Sequence, residues 1–159
     1  MSSTGLEVFD RTLQITHIWL DEIMAELGPD RQRAYHALRA VLQALRDRLP
    51  LNLAAHLGAQ LPLLVRGIYY DNWHPQPGTT RERKQEEFLE HVRAGLQGAR
   101  PIDVGDATRV VFGVIARHVT EGQAEKVRLA LPKEIQALWP EVAPDREQSE
   151  PARAAAARS

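Results

Sequence analysis

The chain has no cysteine. That absence excludes a disulfide framework, a thiolate metal site and a thiol nucleophile, and it makes the cytoplasm the expected compartment. No apolar run approaches the roughly 18 residues of a membrane span, and the opening "MSSTGLEVFDRTLQ" lacks the basic and apolar segments of a secretory leader. A soluble protein without a leader is expected. Charge of one sign is lacking too: 20 Lys plus Arg face 21 Asp plus Glu, a formal net charge of -1. Nothing in the bulk electrostatics draws the chain to nucleic acid or anionic lipid.

Catalytic signatures are absent as well. Serines stand only near the termini, no Gly-x-Ser occurs, and there is no Walker loop, dinucleotide fingerprint or nucleophile elbow. Six histidines, His17, His36, His56, His74, His91 and His118, form neither HxxxH nor HExxH. No catalytic residue, metal site or cofactor is therefore expected, and these gaps point away from an enzyme.

What is present is helical periodicity. With 159 residues the chain can bury about two thirds of its unfolded surface without staples. Leu6, Phe9, Leu13, Leu20, Ile23 and Leu27 follow spacings of three, four or seven, the pattern of one helix face. Gly28-Pro29 stops that helix, and Asp30 can cap a second one carrying Tyr35, Leu38, Leu42, Leu45 and Leu49. Leu49-Pro50 ends it, and Asn52 can cap a short third helix reaching about Gln60. Pro62 suits the first turn of a fourth, where its missing N–H has no partner to lose.

"HPQPGTT" is a loop by composition, and Thr79-x-x-Glu82 reads as a capping box opening a fifth helix with Phe88, Leu89, Val92 and Leu96 inward. Asp103 can cap a sixth, in which Ala107, Val110, Val111, Val114 and Ile115 keep helical rather than alternating spacing despite their β-branching. Thr120-x-x-Gln123 is another capping box. "LPKEIQALWP" then closes the chain's pattern much as "LPLLVRGIYY" did earlier.

Sliding the sequence by 70 residues pairs Ala37, Arg39, Val41, Ala54, Leu61 and Pro62 with Ala107, Arg109, Val111, Ala124, Leu131 and Pro132. Upstream, a shift of 69 pairs "WLDEIMAEL" with "FLEHVRAGL". Two copies of one long, long, short, short unit are expected. The predicted fold is all-α, with two tandem four-helix repeats packed into one pseudo-twofold eight-helix domain: residues 1–73 form the first repeat, 74–80 a linker, 81–140 the second repeat, and 141–159 a partly disordered tail.

The residues "LRDRLPLNLAAHLGAQLPLLVRGIYYDNW", with their "LRDRL" helix, "AQLP" turn and "RGxYYxxW" helix, resemble a bacterial family known as domain of unknown function 2267. The likeness extends over about Phe9 to Pro140. It implies an all-helical tandem-repeat fold and brings no assigned activity.

The repeat also sorts the candidate residues. Tyr69 aligns with Trp139 and Pro62 with Pro132, so these positions are expected to pack alike in both halves. Arg66, Tyr70, Asp71 and Trp73 have no like counterparts, and His74 follows them. A glycine inside a helix costs about 1 kcal/mol relative to alanine, so Gly67 is expected to admit a close neighbour. Asp71 near a helix C-terminus calls for a cation, with Arg46, Arg48 and Arg66 available.

The plainer reading of Arg66 to Trp73 is a polar and aromatic clasp locking the first repeat onto the second; Arg46 and Arg48 are read as partners of free carbonyls in their own last turn. The functional reading is a binding surface for a protein partner or a second copy, since exposed Tyr, Trp and Arg often dominate interfaces. An alternative is a small-ligand or enzyme pocket between the repeats near Arg66, Tyr70, Asp71 and His74. Nucleic-acid contact through Arg31, Arg33, Arg39 and Arg46 is the weakest option, because no long basic stripe supports it.

Overall fold

A computed structural model describes residues 4–75 and 82–141. Among these residues there are eight helices and no strand. They are α1 (Glu7–Leu27), α2 (Arg31–Arg48), α3 (Leu51–Gln60), α4 (Leu63–Tyr70), α5 (Gln85–Gly95), α6 (Val104–His118), α7 (Glu121–Ala130) and α8 (Lys133–Gln136). The tail beyond Glu141 and the greater part of the linker lie outside the described residues.

Local chemistry sets most of the boundaries. Gly28, at φ 109, turns the chain out of α1, a conformation that only glycine adopts cheaply. The side chains of Asp30, Asp103 and Thr120 accept hydrogen bonds from the backbone N–H groups of Arg33, Asp106 and Gln123, so three helices begin on a satisfied N-terminal donor. At α3 the expected Asn52 cap is replaced by Pro50, which holds the entry without a side-chain bond. Proline at that point already carries a φ close to the helical value, so no cap is needed to fix the first turn.

The fifth helix also starts later than its sequence motif predicts. It opens at Gln85, where the Glu87 carboxylate accepts from the Lys84 N–H at 3.2 Å. Glu82 stands before the helix, and Thr79 lies outside the described residues. The Glu82 carboxylate is drawn away to His91, which removes it from any capping role.

α2 is the central element and packs against α1, α3, α4, α5 and α6. The core formed around it includes Trp19, Ile23, Leu38, Leu42, Leu45, Tyr69, Phe88, Phe112, Ile115 and Ile135, all fully or almost fully buried. Burial of side chains this large is the main favourable term for the fold, at about 1.5–3 kcal/mol each. The helical expectation for residues 104–118 holds: Ala107, Val111, Val114 and Ile115 face the core, with Val110 at its margin.

The two Leu-Pro junctions have matching geometry. Leu61 and Leu131 take φ,ψ of -78,143 and -88,146, and Pro62 and Pro132 take -57,153 and -58,152. The Leu61 N–H donates to the Gly58 carbonyl and the Leu131 N–H to the Arg128 carbonyl, each at 3.1 Å. A further link joins the first four helices to the last four. The Gln60 amide accepts from the Thr120 N–H at 2.9 Å and donates to the Gln123 side chain at 3.4 Å, which ties the end of α3 to the start of α7.

Candidate interaction surface

The end of α4 is where sequence reasoning places its candidates. Arg66 is half-buried and spends its guanidinium on the carbonyls of Gly58, Ala59 and Leu61, at 3.0, 3.2 and 3.0 Å. Those carbonyls stand at the end of α3, where that of Gly58 also accepts the Leu61 N–H, so Arg66 is a C-terminal cap for its neighbour. Gln136, at the aligned position, likewise donates to the Leu131 carbonyl at 2.7 Å.

Tyr69 is fully buried and its hydroxyl donates to the Ala54 carbonyl at 2.7 Å. Burial pushes its phenol far above the ordinary range, so it stays a neutral donor. Trp139 at the aligned position is buried against Phe112, with ring centroids 4.8 Å apart.

Tyr70 turns outward, stacks on Trp73 at 5.5 Å and reaches the Ala55 carbonyl with its hydroxyl at 3.3 Å. Arg46, only 6% exposed, lies 5.7 Å from the Trp73 ring centroid and donates to the carbonyls of Tyr69 and Asp71 at 2.8 and 3.1 Å. Its expected role at its own helix end is therefore corrected. Because α4 packs beside α2, the open carbonyls within reach are those of the last turn of α4.

Three further expectations change. The side chains of Arg66, Tyr70 and Trp73 engage α2 and α3, and α4 packs on α1, α2 and α3, so the clasp they form lies within the first four helices. Asp71 finds its nearest cation in Arg39 at 4.0 Å, since Arg46 takes the Asp71 carbonyl and Arg66 points toward α3. Gly67 meets nothing within 4 Å at the position of an added Cβ. The close approach occurs at Gly58, where a Cβ would overlap the Tyr70 ring, with Cε2 at 2.8 Å. Asp71 and His74 are exposed.

Two charged clusters that sequence reasoning missed join the first four helices to the last four. In one, His91 on α5 lies between carboxylates, with Nδ1 2.7 Å from Glu82 and Nε2 3.2 Å from Asp47 on α2. The hydrogen bonds to Asp47 and Glu82 outweigh burial and push the imidazole up to about 9 from 6.5. Burial raises the Asp47 carboxyl, but the bonds from His91 and Arg46 more than offset this and hold it below the usual range. His91 is thus a cation at neutral pH, with both ring N–H groups donating.

In the other cluster, Glu22 on α1 accepts from Arg117 at 3.0 Å and meets His118, both at the end of α6. His118 also stacks on Trp19 at 4.9 Å. A cavity of about 680 Å³ lies nearby, with Ala116, Val119, Ala124 and Trp139 among its apolar lining and Arg117, Glu125 and Arg128 among its charged lining. Arg117 is paired with Glu22, and Arg128 with Glu125.

Exposed apolar residues are concentrated on α1. The stripe expected to be buried divides in two: Leu20 and Ile23 enter the core, whereas Leu6, Phe9 and Leu13 stay on the surface at 51, 46 and 38% exposure. Val8 and Ile18 are exposed on the same helix, and Leu63 and Leu64 are exposed at the start of α4. Thr12 brings the two elements together by accepting the Leu64 N–H at 2.9 Å, which supplies the N-terminal cap that Pro62 cannot give. Although α2, α4 and α6 all pack on α1, Leu6, Phe9 and Leu13 stay exposed to solvent.

Among the described residues the protein is all-helical, and no helix there is long and apolar enough to cross a membrane. The chain belongs to the family described as uncharacterized conserved protein (DUF2267), whose model matches residues 16–138. No curated protein matches the sequence.

Proposed function

We propose that this protein is a self-associating helical interaction module, and that the face formed by the first half of α1 and the start of α4 is its docking surface. The observation that carries the reading is the uncovered stripe Leu6, Phe9 and Leu13, which continues along the same helix into the core stripe Leu20 and Ile23. Singly exposed leucines are ordinary, but a contiguous apolar helix face marks an interaction site. A second copy is the simplest occupant, because such a face is complementary to its own twofold image. A cytoplasmic setting belongs to this reading and suits a chain without cysteine.

The module itself reads as two repeats, residues 1–73 and 81–140, related by a pseudo-twofold axis. The matched Leu-Pro junctions and the Arg66 and Gln136 caps support this. So do the packing pairs α1 with α6 and α2 with α5, which exchange under such an axis, while α2 with α6 and α3 with α7 map onto themselves.

The aromatic end of α4, with Asp71 and His74 exposed beside the Tyr70–Trp73 stack, is a second candidate face. A small-ligand pocket at Arg66 to His74 has less support, since Arg66 and Tyr70 spend their polar atoms on backbone carbonyls.

Sedimentation velocity over a concentration series tests the proposal. The native chain should show a rising sedimentation coefficient, and the variant Phe9→Glu/Leu13→Glu should remain monomeric with the Tm of the native chain at high dilution. A native chain that stays monomeric throughout, or a variant that associates equally well, would overturn it.

A further inference from the structure

The two charged clusters occupy equivalent positions in the repeat alignment, an equivalence that rests on the two-repeat reading of the fold. The shift of 69 that pairs Trp19 with Phe88 also pairs Glu22 with His91, and the shift of 70 pairs Asp47 with Arg117. Glu22 bonds Arg117, and His91 bonds Asp47. One pair of equivalent positions is therefore linked on both sides of the axis, with the signs of charge exchanged. On one side the α1 position is acidic and its partner at the end of α6 is basic; on the other, the α5 position is basic and its partner at the end of α2 is acidic.

We infer that these four positions form a pairing code, in which each repeat presents a face that fits a repeat of opposite charge and rejects another copy of itself. If two first repeats met through this interface, Glu22 of each would face Asp47 of the other. If two second repeats met, protonated His91 would face Arg117. Both arrangements set like charges together, at the partly buried contact of Asp47 with His91 and at the more exposed contact of Glu22 with Arg117, and both are unfavourable. Only the pairing of a first repeat with a second places opposite charges at both contacts.

Each of the four positions is held by neighbouring charged groups. Arg46 lies against Asp47 at 2.9 Å, Glu82 holds the other nitrogen of His91, and His118 adds a second donor to Glu22. His118 adds to the basic side of the Glu22 contact, whereas Arg46 and Glu82 carry charges opposite to Asp47 and His91 and orient those groups without adding to their sign. Apolar packing between the repeats carries no comparable sign, because α2 and α6 both offer aliphatic faces that would pack against either kind of partner. The code therefore specifies which helices pair, while the core supplies the stability.

The test exchanges charges at the α1–α6 contact in the full chain carrying His118→Gln throughout, so that no third group with a charge faces position 22, and reads Tm at pH 6. The reference is Glu22→Gln/Arg117→Gln, which removes both charges. Arg117→Asp copies a contact between two first repeats, and Glu22→His copies one between two second repeats. Each should melt below the reference, by about 2–5 °C for a repulsion of about 1 kcal/mol. The double variant Glu22→His/Arg117→Asp installs the charges of the opposite contact and should melt at or above the reference. The direct exchange Glu22→Arg/Arg117→Glu should do the same.

If the direct exchange recovers stability and the transplanted pair does not, the positions are not equivalent and the two-repeat reading falls along with the code. If neither double variant recovers, the contacts carry no sign information, and the code fails while the repeat reading stands.

Discussion

Two glycines on neighbouring helices predict opposite results from the same substitution. Gly67→Ala adds a Cβ that meets nothing within 4 Å, so it should stabilise the protein by up to about 1 kcal/mol through helix propensity alone. Gly58→Ala would drive a methyl into the Tyr70 ring and should cost about 1–3 kcal/mol as overpacking. Urea denaturation of both variants checks the pair, and a stabilised Gly58→Ala would contradict the packing described for Tyr70. Arg46→Met keeps much of the aliphatic stem and removes the donors to the carbonyls of Tyr69 and Asp71. It should lower stability by about 2–3 kcal/mol, the cost of leaving buried acceptors unmet; an unchanged urea midpoint would mean those carbonyls are satisfied without the guanidinium. None of these roles follows from local sequence. A glycine is read as a close approach only when its neighbour is known, and residues far apart in the chain meet here through the packing of α4 against α2 and α3.

The elements themselves are largely legible in the sequence, and the reasons are local. Spacings of three and four mark α1, α2, α5 and α6, while Asp30, Asp103 and Thr120 announce three helix starts before any packing is considered. The start of α5 is misread because Glu82 has a stronger partner in His91 than in a backbone N–H, and that partner is distant from any capping motif. The first half of α1 is misread differently: periodicity reports an apolar face but not what covers it. Phe9→Glu/Leu13→Glu should therefore change stability by less than about 0.5 kcal/mol, as expected for exposed sites, although the same substitutions at Leu20 and Ile23 would disrupt the core. Chemical denaturation at a dilution where the native chain is monomeric separates the two cases, and a large loss in the Phe9→Glu/Leu13→Glu variant there would show that this stripe is covered within the monomer.

At the scale of the whole molecule, the charged contacts between the halves couple stability to pH. The His91 imidazole, pushed up to about 9 from 6.5, stabilises the fold fully below about pH 6.5 and loses that contribution as pH rises toward 9. Asp47 and Glu22, held below the usual carboxylate range, act in the other direction; their contribution is present above that range and is lost as pH falls through it. Stability should therefore be greatest in weakly acidic solution and should decline by about 2–3 kcal/mol between pH 6.5 and 9. His91→Asn should flatten that decline, and a native profile that stays level over this range would contradict the bridged imidazolium. The signal for this contact is already present when the sequence is aligned on itself, as an exchange of sign at Glu22/His91 and Asp47/Arg117, but it becomes meaningful only when helix packing shows that Glu22 touches Arg117 and Asp47 touches His91.

Association through α1 is the claim on which the functional account depends, and hydrogen exchange read by mass spectrometry at low and high protein concentration tests it most directly. The account predicts slower exchange at high concentration for peptides covering residues 6–18 and 63–64, with peptides covering residues 66–74 unchanged. Protection appearing at residues 66–74 instead, or no change with concentration anywhere, would contradict it.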